Sequence, residues 1–145
     1  MCIPYGEALM KIETLLKRKG NTDVWIAKRE VEIYLNPFQK VLIPFGTETN
    51  FASVPKKFHW LIDPDANDIA IAAFVHDALV GEHSEPVRII TMNYTSKKIK
   101  LHHEFVTWKE AAKIFRDLMY HMNAPWWKRQ LCYSAVRWYG VIKKR

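Results

Sequence analysis

The sequence of 145 residues is poor in cysteine and glycine, and it contains no long apolar run. Its two cysteines, Cys2 and Cys132, are too few for the disulfide framework of a small secreted domain, so a reducing compartment is expected. No apolar run approaches the roughly 20 residues that cross a bilayer, and the N-terminus lacks the pattern of a signal peptide. GxSxG and phosphate-cradling glycine patterns are also absent. We therefore expect a single domain over residues 1–145 without a transmembrane segment.

Acidic residues are missing from the C-terminal end. Six of the 22 Lys and Arg residues and none of the 15 Asp and Glu residues follow Asp117, so this end carries +6 of the net charge of +7. Such asymmetry is typical of a surface that contacts nucleic acid or another anionic partner. It is equally typical of the solvated side of a terminal helix.

Strand-like patterns fill the first half of the chain. Partial alternation of apolar and polar residues, rich in Val, Ile, Trp and Tyr, covers residues 10–16, 22–35 and 40–49. The turn-like KRKGNT and the breaker LNPFQ separate these stretches. Residues 88–105 predict a β-hairpin with polar residues at its middle.

Helix signals dominate the second half. A first helix is predicted from about Asn67 to Val80, ended by Gly81. A second begins after Thr107, which forms a capping box with Glu110, and Pro125 opens a third. The predicted core face of the third helix consists of Trp127, Leu131, Ser134, Ala135, Trp138 and Ile142.

These patterns together predict an α+β domain. Its N-terminal strands form a small, mostly antiparallel sheet. Three helices follow, and the β-hairpin is inserted between the first two.

The stretch FVHDALVGEH places His76 and Asp77 side by side in an otherwise apolar helix. Burying an imidazole and a carboxylate costs free energy unless both find partners. In a functional interpretation, His76 is a base or ligand at the edge of a cleft and Asp77 holds a cation. In a structural one, His76 bonds a backbone carbonyl and Asp77 holds a neighbouring segment. The two side chains are about 100° apart on a helix and do not point at one target.

Metal-site patterns are weak elsewhere in the chain. The histidines at 83, 102, 103 and 121 show no zinc-motif spacing, and there is no HExxH run. DPDAND resembles the start of a calcium loop, but Asp68 and Phe74 stand where that loop needs Gly and Glu. No cofactor is therefore expected, with calcium or zinc at Asp77 and His76 as the alternative.

The stretch WWKRQLCYSAVRWYG mixes aromatic and basic residues, which are the ingredients of stacking on nucleic acid. Core packing of the aromatics with incidental surface charge is the alternative. The candidate binding residues are Trp126, Lys128, Arg129, Tyr133 and Arg137.

Five ordered stretches between Val24 and Gly140 resemble a phage and prophage family catalogued as domain of unknown function 1353. They are VWIAKREVEIYLN, TNFASVPKKFHWLI, AAFVHDALV, KEAAKIFRDLM and APWWKRQLCYSAVRWYG. The resemblance implies a bacteriophage or prophage origin and a location in the cytoplasm of the infected bacterium or in the virion. It implies no settled biochemical activity.

The family's His-Asp helix is in turn similar to that of calcium-dependent secreted phospholipases, where the imidazole activates water and the Asp holds calcium. Members typically carry a Tyr three residues after the Asp and a further Asp in the later helix. Here Val80 and Ala112 stand at those two positions. Because the orienting carboxylate is missing, the comparison argues against catalysis in this chain.

We therefore expect an accessory protein that acts by binding a phage or host protein, as a virion tail or neck component or as a host-directed factor. In this interpretation His76 and Asp77 tie the helices to the segment around Asn50, Ser53 and Pro55, with Ser53 as the partner of Asp77. One alternative is a small His-Asp hydrolase acting on lipid or cell-wall bonds. Another is a nucleic-acid binder that uses the basic C-terminal helix. The oligomeric state is left open.

Overall fold

The computed structural model describes residues 2–3, 16–21, 24–49, 67–81, 86–122 and 124–143, and it confirms the predicted α+β class. The three helices in this part of the chain are α1 (Asn67–Val80), α2 (Trp108–His121) and α3 (Trp126–Lys143). The strands are β1 (Cys2–Ile3), β2 (Leu16–Arg18), β3 (Trp25–Ala27), β4 (Val31–Asn36), β5 (Gln39–Ile43), β6 (Glu48–Thr49), β7 (Ile89–Thr95) and β8 (Lys98–Glu104).

The strands form two sheets. A five-stranded sheet has the order β1-β4-β5-β7-β8, in which β1 and β4 are parallel and the other pairs antiparallel. A three-stranded antiparallel sheet has the order β2-β3-β6. The strand-like stretch over residues 22–35 thus contains two strands in different sheets, separated at residues 28–30. The predicted β-hairpin between α1 and α2 is confirmed as β7 and β8. Its strand β7 also pairs with β5, so the hairpin extends the larger sheet.

The core is built around α1. Every residue from Ile69 to Val80 is buried, as expected for a helix that is apolar on all sides. α2 packs against both α1 and α3, and it also contacts β4. The buried residues of β4 are Val31, Ile33 and Leu35, which alternate with half-buried ones. The His-Asp pair of α1 therefore lies at the centre of the protein.

The helix ends follow the signals read from the sequence. Gly81 has a φ of +73°, and its N–H donates to the Asp77 carbonyl oxygen at 2.9 Å. The Thr107 hydroxyl oxygen accepts from the Glu110 N–H at 3.1 Å. The Pro125 carbonyl oxygen accepts from the Arg129 N–H at 3.1 Å, so α3 begins one residue after the proline. No helix among the described residues combines the length and apolar character needed to cross a membrane.

The β7–β8 turn holds two non-glycine residues at positive φ, Ser96 at 32° and Lys97 at 75°. Two-residue turns of this kind favour glycine, which has no Cβ to clash. We therefore expect Lys97→Gly to raise the free energy of unfolding by about 0.5–1 kcal/mol in urea titrations. Lys97→Ala is the control, because it shortens the side chain but keeps the Cβ that disfavours positive φ. Equal stability of the two variants would contradict the prediction.

Candidate functional site

His76 lies inside the protein, with a side-chain exposure of 0%. Its ring meets Trp108 edge to face, with 5.6 Å between ring centroids and an interplanar angle of 77°. Phe115 lies at the same centroid distance with a tilt of 45°. Both aromatic residues belong to α2 and are seven positions apart, which places them two turns along one face. The imidazole therefore serves as a packing element between α1 and α2.

Neither ring nitrogen of His76 has a hydrogen-bond partner in the structure of the described residues. The bond to a backbone carbonyl that the structural interpretation assigned to His76 is not formed with any described residue. Burial lowers the pKa of His76 from 6.5 to about 3, because the apolar surroundings penalise the imidazolium. The neutral ring is shielded from solvent in this conformation.

Asp77 is also buried, and its carboxylate accepts a hydrogen bond from the hydroxyl of Thr49. Thr49 is fully buried and pairs with Trp25 across the β3–β6 ladder. The contact thus connects the central helix to the smaller sheet. Thr49 immediately precedes the segment in which a partner was predicted, and the predicted residues Asn50, Ser53 and Pro55 lie outside the described part of the chain.

The described acids of α2 and histidines of β8 do not converge on His76, and His83 lies outside the described residues. Ala112 is buried on the α2 face that packs against α1, whereas Glu110 and Asp117 are exposed. His102 and His103 are exposed on β8. Within the described ranges, no three His, Cys, Asp or Glu residues are grouped so that they could hold a metal ion.

A second candidate site lies on the surface of α3, where tryptophans are exposed. The exposed fractions are 68% for Trp126, 50% for Trp127 and 61% for Trp138, and Val141 is exposed beside them. Trp127 and Trp138 are eleven residues apart, so they lie about 20° apart around the helix. We call Trp126, Trp127, Trp138 and Val141 the tryptophan face.

The predicted core face of α3 is correct in part. Ala135 is buried and Leu131 packs against the core, but Trp127, Ser134 and Trp138 are exposed. The other buried residues are Cys132 and Val136, which lie outside the predicted stripe. The helix face that packs inward is therefore rotated toward Cys132 and Val136.

The five residues predicted to bind nucleic acid are placed differently from one another. Trp126 is exposed, and Lys128 and Arg137 are half-buried. The guanidinium of Arg129 lies over the Tyr120 ring at 4.9 Å, with its Nε buried. Tyr133 packs against the core, and a guanidinium from α2 covers its ring. Arg129 and Tyr133 are therefore engaged within the protein, and Trp127 and Trp138 are the surface residues that the sequence pattern had assigned to the core.

The sequence profile of DUF1353, a family of proteins of unknown function, matches residues 26–136. The chain belongs to DUF1353. No curated protein and no solved structure matches it. The DUF1353 match contains α1 and α2 with the buried Thr49, His76 and Asp77. It ends at Val136, before Trp138 and Val141 of the tryptophan face.

The pKa of His76 makes stability depend on pH. The unfolded chain takes up the proton near pH 6.5, but the folded protein does so only near pH 3. The contribution of the neutral ring to the free energy of unfolding is therefore fully present above pH 6.5. Between pH 6.5 and 3 this contribution falls by up to about 1.4 kcal/mol per pH unit. As the pH is lowered from 6.5 to 3, we expect the free energy of unfolding from urea titrations to fall less for His76→Leu than for the unmodified protein. Parallel pH profiles would contradict this.

The Thr49–Asp77 contact should stabilise the protein more than a neutral surface hydrogen bond. We expect Thr49→Val to lower the free energy of unfolding by about 2–3 kcal/mol, because the buried carboxylate loses a charge-assisted hydrogen bond. Asp77→Asn should lower the melting temperature, and the two changes should be non-additive in a double-mutant cycle.

The matched control for Thr49→Val is Thr47→Val. The Thr47 side chain is also buried, and its hydroxyl donates to the neutral Pro44 carbonyl oxygen at 2.8 Å. A loss of about 1 kcal/mol is expected there. Equal losses at the two threonines would show that the carboxylate adds nothing.

Proposed function

We propose that this DUF1353 chain is a bacteriophage or prophage accessory protein that acts by binding a protein partner of the phage or its host, without catalysis. The phage origin rests on the resemblance of its sequence stretches to that family. The observation that supports binding is the exposure of three tryptophans on one helix. The protein would act in the infected cell or in the virion.

The tryptophan face has the composition of a binding surface. Trp is the residue type most enriched among the side chains that contribute most to protein interfaces. Trp127 and Val141 are 14 residues apart in α3, so the face extends about 21 Å along the helix. Indoles exposed along this length are costly to leave in water, which favours a surface that a partner covers.

The charge around the tryptophan face indicates the chemistry of the partner. The Lys128 ammonium lies 5.8 Å from the centroid of the Trp127 ring, and Arg137 is half-buried on the same helix. No acidic residue follows Asp117 in the sequence. The complementary surface is an apolar patch with an acidic rim, which would also steer association.

The interior position of His76 supports the same proposal. Hydrolysis by a His-Asp pair needs an imidazole that a substrate can approach and a carboxylate that orients it. Here the ring is enclosed by Trp108 and Phe115, and Ala112 occupies the position of the orienting Asp. The pair is better suited to holding the fold together, and binding through the surface needs no cofactor.

The double variant Trp127→Ser with Trp138→Ser tests the proposal. We expect a lysate of a prophage-bearing host to yield one phage or host protein that the immobilised chain retains and the variant does not. Calorimetry with that purified protein should show binding weakened by about 2 kcal/mol or more, because interface tryptophans are frequent hot spots.

The control variant is Phe45→Ser, since Phe45 is 70% exposed and belongs to the β5–β6 connection, not to α3. It removes an equally exposed aromatic ring without touching the tryptophan face. If the purified partner bound all three proteins equally, the tryptophan face would not be its site.

A second candidate function is single-stranded nucleic-acid binding, favoured by exposed indoles next to a basic side chain. Stacking of bases would quench tryptophan fluorescence, and log affinity would fall linearly with log salt concentration. Titration with an oligonucleotide distinguishes the two functions. Salt-dependent quenching that is lost in the double variant supports nucleic acid, and unchanged fluorescence removes that candidate.

A further inference from the structure

The outer edge of β8 has no paired strand among the described residues. β8 is the last strand of the five-stranded sheet, and in the described part of the chain it pairs with β7 and with no other strand. All seven of its residues are exposed. It contains neither proline nor a register shift, two of the devices that usually prevent an edge strand from pairing with another chain.

The hairpin register shows which backbone groups face that edge. Thr95 and Lys98 flank the two-residue turn, and in such a hairpin the flanking pair exchanges both hydrogen bonds. Every second residue of β8 after Lys98 therefore directs its N–H and C=O toward β7. The residues between them direct these groups outward, and they are Ile99, Leu101 and His103.

An apolar stripe accompanies the outer edge. Ile99 is 59% exposed and Leu101 53% exposed, and alternation places them on one face of the hairpin. Tyr94 stands opposite Ile99 in the ladder and is also exposed on that face. A chain added at the edge would cover part of this apolar surface as well as the outward backbone groups.

We propose that β8 pairs antiparallel with β8 of a second copy of this chain, about a two-fold axis at Leu101. In this register all seven residues of the strand find a partner. Leu101 meets Leu101 of the second copy, Ile99 meets His103, and Lys98 meets Glu104. The two five-stranded sheets become one continuous ten-stranded sheet.

Charge complementarity selects the second copy as the occupant and Leu101 as the axis. The two-fold symmetry makes the Lys98–Glu104 contact twice, and opposite charges directly across strands are favourable. Within one chain these side chains face the uncharged Thr95 and Ile89, so neither is already paired across the ladder. If the register shifted so that the two-fold axis passed through Lys100, the Lys100 side chains of the two copies would face each other. The paired length of the two strands would also be shorter.

Charge reversal tests the register. Sedimentation of the full chain under reducing conditions should show a concentration-dependent dimer. Lys98→Glu and Glu104→Lys should each weaken dimerisation by about tenfold, because two attractive pairs become repulsive. The double variant Lys98→Glu with Glu104→Lys should restore it. Lys113→Glu, on the exposed side of α2, is the charge-matched control and should leave it unchanged.

Leu101→Pro tests the edge itself. The Leu101 N–H faces outward, so proline removes a donor from the new interface without removing one from the β7–β8 ladder. We expect this variant to be a folded monomer at concentrations where the unmodified chain is dimeric. The proposal would be overturned if the unmodified chain were monomeric. It would also be overturned if neither Leu101→Pro nor the single charge reversals weakened dimerisation. The proposal is independent of the tryptophan face, so a dimer lost only in the Trp127→Ser and Trp138→Ser variant would also overturn it.

Discussion

α1 is surrounded by the rest of the protein, so its two polar residues have to be accommodated without water. The Asp77 carboxylate meets this constraint by accepting a hydrogen bond from the hydroxyl of Thr49, and this bond connects the helix to the smaller sheet. The His76 ring meets it differently, by staying neutral between two aromatic rings of α2. The position of α2, and through it that of α3, depends on how this helix is packed.

The same constraint moves the candidate functional surfaces outward. His76 is enclosed and fully buried, so the His-Asp pair is not part of the exposed surface. The features exposed to solvent are instead the tryptophan face of α3 and the outer edge of β8. One offers apolar rings beside basic side chains and the other offers backbone hydrogen-bonding groups. Both are suited to macromolecular contact, and they belong to different elements of the fold.

Local signals accounted for much of the secondary structure. α1 was predicted with its observed ends because an apolar run is closed by a glycine that adopts positive φ. The Thr107 cap was predicted for a similar reason, since the bond joins residues three apart. The split of residues 22–35 between two sheets was missed, because the choice between sheets depends on partners distant in the sequence.

The sequence by itself determined the helix ends, the β7–β8 hairpin and the α+β class, because capping, turn geometry and alternation act over a few residues. Only the tertiary structure decided that β7 joins β5, that α3 buries Cys132 instead of Trp127, and that Thr49 meets Asp77. α3 has apolar residues on most of its circumference, so periodicity alone did not select the face that packs. That selection depends on how the side chains of the two helices fit together, and such a fit exists only once both helices are in place.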